Sequence, residues 1–599
     1  MFLAEQQLIE DKIKTFCAGQ GIPLAALKWT PIPFSGEWGI STSFFQTAAA
    51  EARSGMKVAV PQRAQEIAEQ VKAAVFPAPG ISRAEAVKGY LNLFYSTAVY
   101  ARRVVDMVLE QGSRFGAGAA RGEHVMVEYA QPNTHHSFHI GHARNAILGE
   151  ALARIVQFAG FETIRATYPG DIGLGVITIL WAYQKFHKGQ EPSGVHERGQ
   201  WLLKIYVEAT KLFEPGENET PEQKARREAY DLERREMYRK WDEGDPEVRE
   251  LWRRTREWSL EEIRAVFEML EIKMDVWFFE SEVDAPAKAI VEELVAKGIA
   301  DDERPQGGAV VVKIDEKLGL QKEKYRTNII LRSDGTTLYL TKDLALAKVK
   351  FEQYHVDRSI YVVDVRQSMH LQQAFKILEL MGFKQAEKCF HLGYGFVSLP
   401  EGAMSARRGV LVLFKDVADE SEGRALAAMG ERTPDMPDSE RRTVAQQIGL
   451  GALKYAMLSV DNNKDIVFDI DAALSFEGHT GPYLQNAYVR ANSILRKAGS
   501  FPPEALFDHP LTSHEIQIID LISRFPSTVE QAAEEYRPLV VANYVYDLAN
   551  AFHSFYHAVP VLQAESDAVK AARLRLVAAA RQTLANALAL LGITAPEVM

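Results

Sequence analysis

VEYAQPNTHHSFHIGHARNAILGE, from Val127 to Glu150, decides how the rest of the chain is read. Residues Val125–Ala130 favour a strand, the polar loop QPNTHHSF ends it, and a helix opens near His142 and runs to about Ala159. A second strand over Thr163–Tyr168 completes a βαβ unit, which implies a parallel sheet. The tetrad His139-Ile140-Gly141-His142 falls where the helix begins. Unpaired N–H groups and the positive helix end attract phosphate at such a point, Gly141 lets a ligand approach the backbone, and two imidazoles can donate to phosphoryl oxygens. This outlines a nucleotide triphosphate site, against the plainer reading of two histidines satisfied within the fold.

Outward from this unit, residues from about Lys185 to Met269 turn charged and helical and read as a solvated insertion laced with i,i+4 pairs. Strand and helix alternate again through GGAVVVKID, NIILRSDG, SIYVVDV and CFHLGYGFVSL, which are expected to complete the same sheet. From about Thr443 the pattern is helical to the end and implies a helix bundle. Before the βαβ unit, helical runs such as Gln62–Val75 and a short aromatic strand ahead of an amphipathic helix (Gly89–Gly112) suggest a separate α+β domain, and Gly116–His124 reads as a linker. The expected domains are 1–118, 119–440 with the insertion at about 185–269, and 441–599.

Length and composition agree with a multidomain globular protein. A chain of 599 residues suggests about three to five domains. With 47% hydrophobic and 25% charged residues, disorder and collagen are excluded. Two cysteines, Cys17 and Cys389, leave no CxxC metal cluster and suggest a reducing cytoplasm. No apolar run reaches about 18 residues and no signal peptide opens the chain, so neither secretion nor membrane insertion is expected. The net charge of -11 means that a nucleic acid must be met by local basic patches.

Far downstream, the loop EGAMSARRG (Glu401–Gly409) sets Met404, Ser405, Arg407 and Arg408 between glycines, as a basic segment able to close over pyrophosphate. Together with the tetrad it resembles the HIGH and KMSKS signatures of class I aminoacyl-tRNA synthetases. The surrounding sequence resembles the arginyl-tRNA synthetases, through VEYAQPN, YPGDIG (Tyr168–Gly173), TLYLTKD (Thr337–Asp343), YVVDVRQSMHLQQ (Tyr361–Gln373), FEGHTGPYLQNAYVR (Phe476–Arg490), YDLANAFHSFYH (Tyr546–His557) and the ending LLGITAPEVM. The resemblance covers nearly the whole chain.

It implies a Rossmann-like catalytic domain with a parallel sheet, an N-terminal tRNA-contacting domain and a C-terminal anticodon-binding bundle. It implies attack of the arginine carboxylate on the α-phosphate of ATP, which brings Mg²⁺ as part of the substrate complex, and transfer of the arginyl group to the 3′-terminal adenosine of tRNA(Arg). Glu128, Asn133, His139, Tyr339, Asp343 and Gln367 match the amino-acid pocket; His139, Gly141, His142, His370, Met404 and Ser405 match the ATP site. Tyr483, Arg490, Tyr556 and Met599 match positions that meet tRNA, where aromatic and basic side chains receive unstacked bases. Arginine presents a planar fork of donors that carboxylates meet bidentately. On a helix, Tyr339 and Asp343 at i,i+4 share a face, so a ring and a carboxylate can address one guanidinium. A monomer, no tightly bound metal and no editing domain are implied.

Two positions depart from the family. Ala403 stands at the first lysine of the KMSKS-like signature, and His136 stands where many relatives lacking that lysine carry another. Arg407 or Arg408 is expected to supply the missing cation, helped by protonated His136 or His135. Asn486 stands where some relatives have a second tyrosine. Arg102 and Arg103 could touch phosphate or be merely solvated. The alternatives are a catalytically silent paralogue that binds arginine or tRNA, and an HxGH nucleotidylyltransferase without tRNA.

Overall fold

A computed structural model of the protein describes residues 3–57, 59–216, 219–398, 412–432 and 436–599. It forms two compact units, one of Met1–Phe115, Arg490–Phe525 and Asp547–Asn586, the other of Gly116–Val489, Pro526–Tyr546 and Ala587–Met599.

In the larger unit five strands make an all-parallel sheet in the order Cys389–Tyr394, Arg358–Asp364, His124–Glu128, Glu162–Thr167 and Val276–Trp277. Val125, Met126 and Val127 are all buried, which consecutive strand residues achieve only where both faces of a sheet are covered. The helix Ile140–Phe158 follows the His124–Glu128 strand and leads to its neighbour Glu162–Thr167, while the opposite neighbour, Arg358–Asp364, arrives much later in the chain. The connections thus part on either side of His124–Glu128, and a crevice opens there at the carboxyl ends of the strands. Gly149 makes the helix fit: a Cβ at that position would overlap the Tyr129 ring. The Tyr129 hydroxyl donates to Glu150, whose carboxylate also pairs with Arg154 at 2.7 Å and Arg165 at 3.1 Å.

Two of the expected strands lie elsewhere. Val310–Lys313 and Thr327–Leu331 pair antiparallel with each other, and with Asp301–Asp302 they form a separate three-stranded sheet. The Asp315 carboxylate accepts the backbone N–H groups of Lys324, Tyr325 and Arg326, which fixes the connection between them. Val310, Val312 and Ile330 pack with Leu344, Ile377 and Leu378. Their apolar run is the same whether a buried strand is parallel or antiparallel, so periodicity alone does not separate the two.

The insertion is also less solvated than its charge suggests. Its helices Val195–Lys211, Pro221–Asp242 and Pro246–Met269 carry surface pairs such as Arg235–Asp231 and Arg239–Glu243. They also share a core of Trp181, Leu202, Ile205, Trp241 and Trp252. Trp252 and Thr255 on the third helix are buried and bonded to the strand-end loops, through Trp252 Nε1 to the Asp171 carbonyl at 2.7 Å and Thr255 Oγ1 to His135 Nε2 at 2.8 Å. The insertion therefore supports the loop that carries the tetrad.

The smaller unit holds an antiparallel sheet, ordered Thr30–Pro31, Gly39–Ser43, Tyr90–Tyr95 and Ile81–Val87. Helix Val60–Val75 buries Ala64, Ile67, Ala68, Val71 and Val75, the i,i+3,i+4 stripe of an amphipathic helix. Trp38 stacks on Tyr100 at 4.2 Å and donates Nε1–H to Asp520 at 3.0 Å. Arg102 pairs with Asp106 and Glu504, and Arg103 with Glu5, so both arginines are engaged rather than merely solvated.

Candidate active site

Four strand ends of the parallel sheet converge on a cavity of about 1120 Å³. Glu128, Asn133, His139, Gly141, His142, Tyr339, Asp343, Gln367 and His370 all line it, so the structure brings together every described residue expected at the arginine and ATP sites. Met404, Ser405, Arg407 and Arg408 lie outside the described residues.

The tetrad is arranged differently from the expectation. His139 caps the helix: its Nδ1 accepts from the N–H of Gly141 at 3.1 Å and of His142 at 3.3 Å. His142 Nδ1 reciprocates by accepting the His139 N–H at 3.4 Å, and the Ile140 N–H goes to the Val412 carbonyl at 3.1 Å. The helix end thus offers no free N–H groups at these positions, and anion binding falls to the imidazoles. With both Nδ1 atoms accepting, each ring carries its proton on Nε2, leaving two N–H donors on rings stacked 3.7 Å apart. Burial holds His139 at about 4, with a further push from His136, and drives His142 well below the ordinary value, so both are neutral donors at pH 7.

The same physics corrects the expectation of protonated His135 or His136. His135 is fully buried between Thr134 and Thr255 in a left-handed backbone conformation, and burial takes it to about 3. His136 packs edge-on against Tyr206 and is lowered by burial to about 4. Neither supplies the missing positive charge in the free protein.

The acidic lining is also more differentiated than the sequence suggests. Glu128 is not free: its Oε2 lies 2.7 Å from Nζ of the fully buried Lys350, at angles too bent for a hydrogen bond. The same ammonium sits 3.7 Å from the centre of the Tyr361 ring. Replacing Lys350 by Met is expected to destabilise the fold by about 3–5 kcal/mol, because Glu128 would remain as a buried unpaired charge. Thermal melting checks this, with Lys350→Met/Glu128→Leu expected to recover most of the loss.

Asp343 is paired with His370, Nε2 to Oδ2 at 2.5 Å, so a guanidinium that takes both carboxylate oxygens must displace this histidine. Tyr339 stands at the first position of the helix Tyr339–Gln353, 67% exposed. A carboxylate behind the lining, Glu280, which acts electrostatically on the lining residue Tyr168 and feels Asp343, was missed by the sequence reading. It opens the helix Glu280–Ala296 after the last parallel strand, and it is buried with no ion pair among the described residues. Burial raises it to about 7; Lys342 opposes the rise, while Asp171 and Asp343 add to it. Its Oε2 and Asn133 Oδ1 both lie against Gly170.

On the other side of the tetrad, buried Arg144 donates to the carbonyls of Gly395 at 2.8 Å, Phe396 at 3.0 Å and Asn462 at 3.0 Å. The cavity lining Phe396, Val397 and Ser398 is thereby fixed to the tetrad helix. The chain re-enters beside the same helix, where Phe414 N–H donates to the Phe138 carbonyl at 3.0 Å and Leu413 bridges to His139. Both described flanks of the expected pyrophosphate loop therefore meet the helix that the tetrad opens, the downstream one at the tetrad itself.

The residues expected to meet tRNA fall in separate surroundings. Arg490 lies 4.9 Å from the Tyr556 ring centre and contacts His553 at 3.0 Å and His557 at 3.1 Å. Tyr556 is 40% exposed, consistent with an available ring face. Tyr483 lies 5.7 Å from Tyr546, which stacks on His479, and Met599 packs on a cluster that includes Met429 and Ile448.

Comparison with known proteins agrees with this arrangement. The model of the class I (R) tRNA synthetase catalytic domain matches residues 104–470, and that of the DALR anticodon binding domain matches residues 484–599. An arginine–tRNA ligase of Bdellovibrio bacteriovorus is 38% identical, covering 91% of this chain and 90% of its own; one of Clostridium perfringens is 34% identical, covering 91% and 92%. The arginyl-tRNA synthetase structure of Thermus thermophilus superposes with a TM-score of 0.76 at 28% identity, covering both chains completely. These matches give no support to a nucleotidylyltransferase without tRNA or to a silent paralogue. With its catalytic and anticodon-binding regions both matched and its length shared with such relatives, the chain belongs to the arginyl-tRNA synthetases, within class I of the aminoacyl-tRNA synthetases.

Proposed function

We infer that the cavity holds arginine with its guanidinium toward Asp343 and Glu280 and its carboxylate toward His139, beside an ATP whose phosphates meet the Nε2–H groups of His139 and His142. The chain is an arginine–tRNA ligase; it activates arginine with ATP and passes it to tRNA. The observation that carries this placement is the union of the Asp343 carboxylate, with buried Glu280 acting on it electrostatically from outside the lining, and two neutral imidazole donors in one cavity. Opposite charge draws the guanidinium to one end, and neutral N–H donors receive phosphoryl oxygens without repelling a cation nearby. Asn133, Gln367 and the edge of Tyr339 supply the remaining polar contacts to the amino acid. Glu128, 2.7 Å from the Lys350 ammonium, lines the pocket beside them.

In-line displacement at the α-phosphate needs alignment and charge neutralisation more than covalent help. The chain contributes the imidazole donors and a frame in which Arg144 holds the Gly395 and Phe396 carbonyls and the Val412 carbonyl meets the Ile140 N–H. Arg407 or Arg408 is the cation proposed at the pyrophosphate, since the histidines are neutral. Mg²⁺ enters with ATP. For tRNA, Arg490 and Tyr556 form a cation and ring pair suited to an unstacked base, with Tyr483 and Met599 as further contacts. We keep 1–118, 119–440 and 441–599 as the division of labour between outer tRNA contact, chemistry and anticodon. A monomer in the cytoplasm is the proposed working form; no helix among the described residues is long and apolar enough to cross a membrane.

ATP–pyrophosphate exchange tests the placement. It should require both arginine and tRNA, and exchange without arginine would contradict it. A pH effect also follows. A guanidinium favours ionised Glu280, which in the free protein holds its proton up to about pH 7. Arginine binding should therefore release a proton below that pH and weaken by up to about tenfold per unit as pH falls further. Calorimetric titrations at pH 8 and pH 6 check this, and Glu280→Gln should flatten the difference. By the same linkage this group makes the free protein less stable as pH rises from its ordinary value of 4.5 to about 7, because the folded state retains the proton longer than the unfolded chain.

A further inference from the structure

We propose that Tyr168 is a further specificity-determining residue of the arginine pocket, its hydroxyl donating to a neighbouring carboxylate and accepting an N–H of the bound guanidinium. The inference rests on reading the cavity as the arginine site. Tyr168 follows the strand Glu162–Thr167 directly, and its side chain lines the cavity with Glu128, Tyr339 and Asp343. Its ring needs no special account, since it packs against a cluster that includes Met126, Phe278 and Leu346. The oxygen does. It is sealed from solvent and has no hydrogen-bond partner among the described residues. A phenylalanine would fill the same space without the cost of an unpaired buried hydroxyl, so packing alone does not explain the oxygen.

The surroundings say what the oxygen is suited to meet. Burial, and after it Asp343, Glu280, Glu128 and Asp171, raise the phenol above its ordinary value, so it stays protonated. A neutral hydroxyl among carboxylates can give its proton to one of them and still offer a lone pair to a cation. A guanidinium brings five donors in a rigid fork, and since the Asp343 carboxylate also serves His370, a further acceptor beside it has a donor to receive. Asp343 already bonds His370 in the free protein, and Glu128 is engaged by Lys350. The unpaired hydroxyl is then an acceptor held ready, its missing bond supplied when arginine arrives. An amino acid without a donor at that place would leave it unpaired, which is how a buried polar group rejects a near match.

The test compares the full-length chain with Tyr168→Phe and Asp343→Asn in ATP–pyrophosphate exchange at saturating tRNA, together with melting curves with and without arginine. Tyr168→Phe is expected to raise the KM for arginine about tenfold, leave that for ATP within about twofold, reduce the upward shift of Tm by arginine, and melt no earlier than wild type without it. An arginine KM unchanged within about twofold would overturn the proposal, as would earlier melting without arginine, which would make the hydroxyl a structural bond. If Tyr168→Phe is silent while Asp343→Asn raises the arginine KM, only the role of Tyr168 fails. If both are silent, the arginine reading of the cavity fails with it.

Discussion

Asp343→Asn is expected to lower kcat/KM for arginine by roughly 10²- to 10³-fold, equivalent to about 3–4 kcal/mol. The substitution keeps the size of the side chain and removes its charge, so a desolvated guanidinium loses a charge-assisted partner while Glu280 remains. The deficit should sit in KM for arginine, since the contact lies far from the reacting phosphate and is made equally in ground and transition states. The pyrophosphate exchange rate, measured against arginine concentration at fixed ATP, checks this. A rise in KM below about fivefold would mean that the guanidinium is held elsewhere.

His142→Ala should act on the other parameter. Removing one preorganised Nε2–H donor at the phosphates is expected to reduce kcat for adenylate formation by roughly 10²- to 10³-fold, with arginine binding nearly unchanged. The imidazole is neutral, so the loss should vary little between pH 6 and pH 8. His142 accepts only the long 3.4 Å bond from the His139 backbone, so the helix should survive the change. His139→Ala is a poorer probe, because it also uncaps the N–H groups of Gly141 and His142. Single-turnover formation of the adenylate separates chemistry from product release, and a kcat within about threefold of wild type would remove His142 from the phosphate site.

Much of the site could be read in the sequence because local order encodes it. The tetrad stands at a strand-to-helix junction, and the i,i+4 spacing of Tyr339 and Asp343 does place both in one cavity. The parts that escaped depend on distant partners. Glu128 reads as a free acid until Lys350, more than two hundred residues later, is seen buried against it. His135 and His136 read as candidate cations until their burial makes the charged forms unfavourable. Nothing in the spacing of the tetrad reveals that His139 turns back to occupy the N–H groups expected to bind phosphate.

Glu280 and Tyr168 had an available signal. Both follow strands of the parallel sheet, where ligands gather at carboxyl ends. Applying that rule to FESEV and ATYPGD would have singled them out. The strands Val310–Lys313 and Thr327–Leu331 had no such signal, since an apolar run alone does not specify whether its neighbour is parallel.

A crystal structure with L-arginine and a non-hydrolysable ATP analogue tests the central claim most directly. The expected density places the guanidinium between Asp343 and Glu280, with His370 turned off Asp343, and the arginine carboxylate beside the α-phosphate near Nε2 of His139. A guanidinium bound away from both carboxylates, or phosphates lying clear of His139 and His142, would contradict it.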